Sequence, residues 1–249
     1  IPSVSCSTNI DEKATNGTES SNAPDASSEA ADTPTSDEEE QELIFLSKRG
    51  YISQTGCPTI VGEVENIGDF SMKDILITAS FYCVRGRLIG AAEEISAVTS
   101  DYTELEILAP GETSPFKITL SIEELSTLKN FDVNKIEKYK VVTDYNTSDE
   151  GLYKDFEISQ STGELDEATG RYQLAGTVKN IGSETAEPVK VIATFYDDQP
   201  NIIEVMHTYL QAPLLPEDEA QFEITVLDAN ISEQIETYHI QAVEYEKRI

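Results

Sequence analysis

The sequence has 249 residues, of which 39% are hydrophobic, and its 47 acidic and 17 basic residues give a formal net charge of −30. This length is sufficient for one or two domains with packed cores. The acidity argues against nucleic acid and anionic membrane surfaces as partners, because binding to phosphate needs clustered Lys and Arg. A solvated, self-repelling surface is the ordinary explanation of such a charge, and cation binding is the functional alternative.

The first 43 residues differ in composition from everything that follows. They are rich in Ser, Thr, Ala, Asp, Asn and Glu and contain almost no large apolar side chain. Such a segment cannot bury enough apolar surface to offset an ordering entropy of about 1–2 kcal/mol per residue. We therefore predict that residues 1–43 form a disordered acidic spacer. Because no signal peptide is visible and the chain starts at Ile1 rather than Met, we expect a processed product or a fragment.

From Leu43 onward the sequence consists of short runs rich in Val, Ile, Thr, Phe and Tyr, separated by Gly, Pro, Asn and Asp. These runs predict β-strands. Every second residue is apolar from Ile75 to Phe81 and from Val189 to Phe195, and most of the residues between them are polar. A period of two with one apolar face is typical of a half-buried strand.

One phrase occurs twice in this part of the chain, as VENIG at 64–68 and VKNIG at 178–182. With an offset of 114, residues 59–83 align with 173–197 without a gap, and eight of 25 positions are identical. After a shortening of eight residues, 108–120 aligns with 214–226. Two tandem copies of one domain explain this doubling, at 44–146 and 153–249, with a junction in 144–156.

Each copy is predicted to be an antiparallel β-sandwich. The Asn-Ile-Gly phrase supplies a turn, because Asn bonds to its own backbone and Gly tolerates positive φ. A single short helix is predicted before the last strand of each copy. The segments SIEEL (121–125) and NISEQI (230–235) each place a capping residue, Ser121 or Asn230, three positions before a Glu.

The combined phrases VGEVENIG…ITASFYC…LAPGETSPFKI and AGTVKNIG…VIATFYD…LLPEDEAQFEI resemble the FxLYD family. The second copy keeps the Phe-Tyr-Asp ending at 195–197, whereas Cys83 replaces the Asp in the first copy. The resemblance implies immunoglobulin-like modules on secreted or cell-surface proteins of archaea and bacteria. It implies a binding or spacer role and brings no catalytic residues.

The three cysteines suggest two covalent features. Cys6 stands at the head of the acidic spacer, which is the place of the lipid-modified Cys in bacterial and archaeal lipoproteins. Its alternative is an unmodified Cys in a disordered tail. Cys57 and Cys83 occur only in the first copy, and their counterparts Arg171 and Asp197 carry opposite charges. We therefore expect the two positions to be neighbours, as a disulfide in the first copy and an ion pair in the second. Two buried, inert thiols are the alternative.

Three N-x-S/T sequons mark candidate glycosylation sites, at Asn16, Asn146 and Asn230. All three are predicted to lie in loops, in the tail or at the start of a helix. The acidic stretch 144–155 has the ligand spacing of an EF-hand loop, but Asp149 stands where that loop needs Gly. An ordinary acidic linker is the preferred interpretation, and no metal or cofactor is predicted.

The sequence contains no nucleophile motif, phosphate loop or zinc-binding H-E-x-x-H. The two histidines, His207 and His239, are expected on strand surfaces. The absence of Trp weakens the case for a carbohydrate-stacking platform. We therefore predict that the protein is not an enzyme.

These observations lead to one main expectation of function. The protein is expected outside the cell or at its surface, where it displays two modules for binding, adhesion or an envelope structural role. Recognition is expected in inter-strand loops such as 84–107 and 197–213, which differ between the copies. Two alternatives remain open: a self-assembling subunit of a filament or surface layer, in which a homo-oligomer forms, and an accessory protein of a surface enzyme.

Overall fold

The computed structural model describes residues 42–84, 94–129 and 131–245 of the chain. Within these residues the first module contains strands β1 (Leu43–Ile52), β2 (Pro58–Asn66), β3 (Ser71–Val84), β4 (Glu94–Tyr102), β5 (Ile107–Leu108), β6 (Thr113–Thr119) and β7 (Ile136–Ser148), with helix α1 (Ile122–Thr127) and a 3₁₀ turn (Val133–Lys135) before β7. The second module contains β8 (Phe156–Asp166), β9 (Arg171–Asn180), β10 (Val189–Tyr196), β11 (Ile202–Tyr209), β12 (Glu219–Val226), helix α2 (Ala229–Ser232) and β13 (Thr237–Glu244).

Each module is built from two antiparallel sheets. In the first module β2 lies between β1 and β6, and β3 pairs with β4, β5 and β7 in the other sheet. In the second module β9 lies between β8 and β12, and β10 lies between β11 and β13. The sheets of each module bury large apolar side chains, among them Phe81, Phe116, Phe195 and Phe222. The prediction of an all-β chain with two tandem β-sandwiches is confirmed.

Strand pairing reproduces the sequence repeat. Gly62 of β2 pairs with Phe116 of β6, and Gly176 of β9 pairs with Phe222 of β12. A Cβ added to Gly62 would lie 2.5 Å from the Phe116 ring, and one added to Gly176 would lie 2.7 Å from the Phe222 ring. The aromatic ring therefore takes the space of the missing side chain, which explains why both copies keep Gly at this position.

The repeated Asn is a buried hydrogen-bonding centre in both modules. Asn66 and Asn180 are both fully buried. The Asn66 amide donates to the carbonyl oxygens of Phe70 and Leu108, at 2.7 and 2.8 Å, and its oxygen accepts from the Gly68 N–H at 2.9 Å. One side chain thus bonds three backbone groups, two in the turn between β2 and β3 and one in β5.

Asn180 repeats this arrangement at equivalent positions. Its amide donates to the carbonyl oxygens of Glu184 and Leu214, and its oxygen accepts from the Gly182 N–H. A buried backbone polar group without a partner is costly, so each Asn stabilises its turn by satisfying three such groups at once.

Both predicted helices are present, but the cap of the second differs from the prediction. Ser121 caps α1 and forms a full capping box with Glu124, as the sequence predicts. Asn230 is not the cap of α2: Asp228 is the N-cap residue, and its carboxylate accepts from the Asn230 N–H at 3.1 Å. The two residues are both good N-caps, and the path of the chain after β12 puts Asp228 at the helix entrance.

Three segments expected to be irregular contain strands. Strand β7 continues to Ser148, so the link between the modules covers 149–155 rather than the predicted 144–156. The predicted recognition segment 84–107 includes β4, and the segment 197–213 includes β11. Among the described residues, no helix is long and apolar enough to cross a membrane.

Candidate interaction site between the two modules

The second module covers the outer face of the sheet formed by β1, β2 and β6. Alternation along β2 places Ile60 in the core and Thr59 and Val61 on the opposite face. Thr59 and Val61 are nevertheless only 1% and 0% exposed. Their equivalents in the second module, Gln173 and Ala175, are exposed. The face of the first module is therefore buried by a contact that its counterpart in the second module lacks.

The covering surface is the sheet formed by β10 and β11. Ile192 and Thr194 of β10 lie on the side opposite the core residue Ala193, and both are buried. Their equivalents in β3, Thr78 and Ser80, are only half-buried. Strand β11 packs across β1, β2 and β6. The two modules thus meet by unlike faces.

A buried carboxylate lies at one end of this contact. Glu104, between β4 and β5, is buried, and its Oε2 lies 2.7 Å from Lys190 Nζ and 2.9 Å from His207 Nδ1. Lys190 is also buried, and its ammonium donates to the backbone oxygen of Glu104 at 2.9 Å and lies over the Tyr245 ring at 5.4 Å. One acid of the first module is therefore shared by two basic groups of the second.

The surroundings of Glu104 stabilise its charged form. Burial alone would raise the pKa of this carboxyl, but the hydrogen bond with His207 and the attraction of Lys190 outweigh that cost. The pKa of Glu104 is consequently lower than its ordinary value. The carboxylate is ionised at neutral pH and serves as the counter-charge of Lys190.

A second buried carboxylate lies in β11, and here the second module supplies the acid and the first module supplies the base. Glu204 of the second module is buried, and its Oε1 lies 2.7 Å from Lys117 Nζ of β6. The Tyr51 hydroxyl of β1 donates to Glu204 Oε2 at 3.0 Å. Burial and the neighbouring Glu204 charge raise the pKa of Tyr51, so the phenol stays protonated and remains a donor.

Polar contacts continue at the rim. Arg49 Nη2 donates to Gln234 Oε1 at 3.0 Å, and Arg49 Nη1 lies 3.9 Å from Asp197 Oδ2. The Tyr196 hydroxyl donates to Glu63 Oε1 at 2.8 Å. These contacts join β1 and β2 to the end of β10 and to the segment after α2.

The link between the modules is also attached to the first module. Lys154 Nζ lies 2.6 Å from Glu112 Oε2. Burial would raise the pKa of Glu112, but the hydrogen bonds from Lys154 and from the Ala109 N–H outweigh it, so the pKa is lowered. This ion pair restrains the link next to the turn that carries Asn66.

A cleft of about 260 Å³ opens at the edge of the contact. Residues of both modules line it, including Thr59, Lys117, Met206 and Asp228. The charged groups in its wall are engaged with each other: Lys117 pairs with Glu204, and Asp228 accepts from the Gln54 N–H at 2.8 Å. These groups hold the modules together rather than present free charges to a ligand.

The structure places the two cysteines of the first module in different sheets. Cys57 immediately precedes β2, whereas Cys83 lies in β3 and pairs with Ile95 and Ile136. Both thiols are free and buried, so the disulfide expected between them is absent from the structure. In the second module Asp197 pairs with Arg49 of the first module rather than forming the expected pair with Arg171. Cys6 lies outside the described residues.

Of the two sequons in the described residues, Asn230 lies at the start of α2, as predicted, whereas Asn146 lies in a strand rather than in a loop. Asn146 is exposed but lies within β7, where its amide is 3.5 Å from the Asp74 carboxylate. Asn230 is exposed within α2, and the Ser232 of its sequon is buried. Asn16 lies outside the described residues. His239 is exposed on β13, as expected, whereas His207 contributes to the contact with Glu104.

Within the described residues, no group of three or more His, Cys, Asp or Glu side chains has an arrangement suited to a metal ion. The residues of the contact between the modules were missed by sequence reasoning. Their signal is a difference between the copies: Val61 stands where the second copy has Ala175, and Ile192 stands where the first copy has Thr78. An apolar residue at an outward-facing strand position in one copy alone marks a face that is covered.

No family model matches the chain, so the resemblance to FxLYD modules stays a prediction. No curated protein matches it either. Among solved structures, the chain is similar to a calcium binding mutant of Bacteroides uniformis beta-glucuronidase 2, with 12% identity and a TM-score of 0.20 over 68% of this chain and 21% of that one.

A second similar structure is Bacteroides uniformis beta-glucuronidase 2 covalently bound to cyclophellitol-6-carboxylate aziridine, with 13% identity and a TM-score of 0.19 over 71% of this chain and 22% of that one. The chain spans about a fifth of the length of both structures. These low TM-scores support no assignment of function.

Proposed function

We propose that the protein is a non-enzymatic, extracellular or cell-surface binding protein whose two β-sandwich modules act as one rigid body. The observation that carries this proposal is the use of buried ionisable groups: Glu104 and Glu204 are each paired with a cation of the other module. Buried ionisable groups also occur at catalytic sites, and Glu204 and Lys117 line the cleft at the edge of the contact, but these two groups are engaged with each other. Here they fix the orientation of two scaffolds.

A fixed orientation of the two modules suits a protein that presents binding surfaces to a partner. Contacts between domains of one chain permit relative motion by default, unless the interface is large or specific. The pairs of Glu104 with Lys190 and Glu204 with Lys117 make this interface specific, because rotation of one module would leave buried charges without partners. Binding surfaces on the two modules would then be held at one spacing, which reduces the entropy lost when both engage a partner.

The acidic composition is compatible with display in an aqueous exterior. A net charge of −30 keeps such a chain soluble and repels other acidic surfaces. The predicted spacer, with Cys6 as a candidate lipid site, would separate the modules from an envelope. Residues 1–41 of this spacer lie outside the described part of the chain, and its predicted end at 43 is too late, because Leu43 begins β1 and is fully buried. An envelope structural role and adhesion both follow from this arrangement.

Labelling of intact cells tests the location. Cells that produce the protein are treated with an amine-reactive biotin reagent that does not cross membranes, and the exposed Lys129 is followed by peptide mapping. We expect Lys129 to be labelled without lysis, whereas an internal protein of the same cells stays unlabelled. Labelling of Lys129 only after lysis would contradict an exterior location.

Distance measurements between spin labels test the rigidity. Labels are placed at the exposed positions Ile122 and Leu215, one on each module, in a chain with Cys6 replaced by Ser. We expect one narrow distance distribution. The double substitution Glu104→Gln with Glu204→Gln should broaden it, and an equally broad distribution in both proteins would contradict the proposal.

A further inference from the structure

Each module uses one of its two outer sheet faces in the contact between the modules, and its other outer face stays uncovered. The first module contributes the outer face of β1, β2 and β6, and the second contributes the outer face of β10 and β11. Because both modules have the same fold, each also carries the face that the other one uses. These remaining faces are the β3–β4–β7 face of the first module and the β8–β9–β12 face of the second.

The uncovered β3–β4–β7 face of the first module has an exposed apolar residue at a position whose equivalent in the second module is buried in the contact. Val98 pairs with Ser80, and Val205 pairs with Thr194, which are equivalent positions of the two modules. Val98 is 57% exposed, whereas Val205 is 1% exposed. Since the outer face of β1, β2 and β6 covers Val205, a surface of the same kind could cover Val98.

Two more large side chains extend this exposed surface. Val142 of β7 is 45% exposed and Tyr102 of β4 is 41% exposed. Val142 pairs with Thr78, which lies beside Ser80 on the same face of β3. Tyr102 pairs with Leu76, also on this face, so Val98, Val142 and Tyr102 expose apolar surface on one side of one sheet. Exposed apolar side chains on a common face are a candidate interaction surface.

The open face of the second module corresponds to the face that receives β11. Gln173 and Ala175 are exposed there, and their equivalents Thr59 and Val61 are buried by the other module. A depression of about 410 Å³ lies on this face, lined by Gln160, Ala175, Thr177, Gln221 and Glu223 among others. A small side chain at 175 leaves room for a protruding apolar residue.

Charge on the two open faces is complementary. Lys138 and Lys140 are exposed on β7, and their partners Tyr82 and Ser80 place them on the same face as Val98. Exposed Glu164 and Glu223 lie on the outer face of the β8–β9–β12 sheet. The exposed Asp144, which pairs with Leu76, lies on the same face as the two lysines and offsets one of them. In a chain with a net charge of −30, a face on which lysines outnumber this acid is attracted to the acidic face of another copy.

From these observations we infer that a second copy of this chain binds end to end. Its β8–β9–β12 face covers the β3–β4–β7 face of the first copy and repeats the arrangement that joins the two modules within one chain. Such an interface joins unlike surfaces, so it continues into an open array or closes into a ring. The inference depends on the contact between the modules and goes beyond the proposed location and display role.

Two substitutions at exposed positions separate the two faces. Val98→Glu alters the β3–β4–β7 face, and Ala175→Glu alters the β8–β9–β12 face. Each places a carboxylate in the proposed interface without a partner, and we expect it to weaken association about 100-fold. Ile122→Glu is the matched control, because Ile122 is exposed at the first turn of α1 and outside both faces.

The experiment is sedimentation velocity of the full-length chain over a wide range of concentration. We expect the wild type and Ile122→Glu to gain mass as the concentration rises, and each interface variant alone to stay monomeric. An equal mixture of Val98→Glu and Ala175→Glu should form complexes of two chains and nothing larger, because each variant keeps the face that the other lacks. Urea unfolding of each variant verifies that the fold is retained.

Three results would overturn the inference: a wild type that is monomeric at every concentration, an Ala175→Glu variant that still dimerises alone, or a mixture that forms no complex. A monomeric wild type with one narrow distance between the modules would leave the proposed function intact. The failure of the two proposals can therefore be told apart.

Discussion

The ammonium of Lys190 lies 2.7 Å from the carboxylate of Glu104, and the two residues belong to different modules. Both side chains are buried, so if one charge is removed, water cannot solvate the charge that remains. The stability of the whole chain is thereby coupled to the contact between its halves.

Glu104→Gln is expected to lower the free energy of unfolding by about 3 kcal/mol, because Lys190 keeps its charge in a buried place without a counter-charge. Urea unfolding of the full-length chain measures the change. Glu123→Gln, at an exposed position of α1, serves as the control and should change stability by less than about 0.5 kcal/mol. Equal effects of the two substitutions would contradict this account.

A paired substitution distinguishes loss of the charge pair from loss of packing. Glu104→Leu combined with Lys190→Met removes both buried charges, and the double variant should be more stable than either single variant. Additive destabilisation would show that the charge pair is not coupled.

The same carboxylate gives the stability a dependence on pH. The pKa of Glu104 in the folded chain is below its ordinary value of 4.5, so the unfolded chain binds its proton at a higher pH than the folded chain. The stabilisation is present above pH 4.5 and is lost as the pH falls through the folded pKa. Urea unfolding at decreasing pH should show a smaller loss for Glu104→Gln than for the wild type, and identical pH profiles would argue against it.

Asn66→Asp is expected to destabilise the first module by about 3 kcal/mol or more. The substitution removes the donor to the carbonyl oxygens of Phe70 and Leu108 and places a carboxylate beside them in a buried site. Thermal unfolding measures the change. Asn230→Asp is the exposed control, and Asp at the start of α2 is favourable there. A tolerated Asn66→Asp would show that the amide donors are dispensable.

Gly62→Ala is expected to cost more than Gly176→Ala. A Cβ on Gly62 meets both the Phe116 ring at 2.5 Å and the backbone oxygen of Ser47 at 2.6 Å, whereas a Cβ on Gly176 meets the Phe222 ring at 2.7 Å and the Ser161 Cα at 3.3 Å. A ring shifts more easily than backbone, so we expect about 3 kcal/mol for Gly62→Ala and less for Gly176→Ala. Urea unfolding ranks the variants.

The control for this pair is Gly151→Ala, since a Cβ added there meets nothing within 4 Å. Its stability should match or slightly exceed that of the wild type, because Ala restricts the unfolded chain. The reverse order for Gly62 and Gly176 would be inconsistent with the close approach of β1 to β2.

The thiols of Cys57 and Cys83 are expected to be free and protected. Both are buried, so alkylation of a full-length Cys6→Ser chain should be slow under native conditions and fast in denaturant. Mass spectrometry without reductant measures both states. A peptide pair linked through Cys57 and Cys83 would show that a disulfide forms after all.

The sandwich fold was predictable because its determinants recur. Gly62, Asn66 and Phe116 each have an equivalent at the same place in the second copy, and alternation along β3 and β9 gives the inward face directly. Strand pairing within one module depends on local turns and on packing that the sequence repeats.

The contact between the modules was not predictable in the same way, because it depends on differences between the copies. Glu104 and Lys190 lie in neither identical phrase, and they meet only when the modules dock. The sequence predicts loops where β4 and β11 lie, because the edge strands of the two copies have little sequence in common. The choice of Asp228 over Asn230 as a cap likewise depends on where the chain leaves β12.

The burial of both faces of β2 places the two halves of this duplicated chain under unequal constraint. Thr59 and Val61 have neighbours on every side, whereas Gln173 and Ala175 face water. A saturation mutagenesis library selected for folding of the single chain should therefore lose most variants at 59 and 61 and retain most at 173 and 175. The folding of one chain thus constrains this strand more tightly in the first copy than in the second.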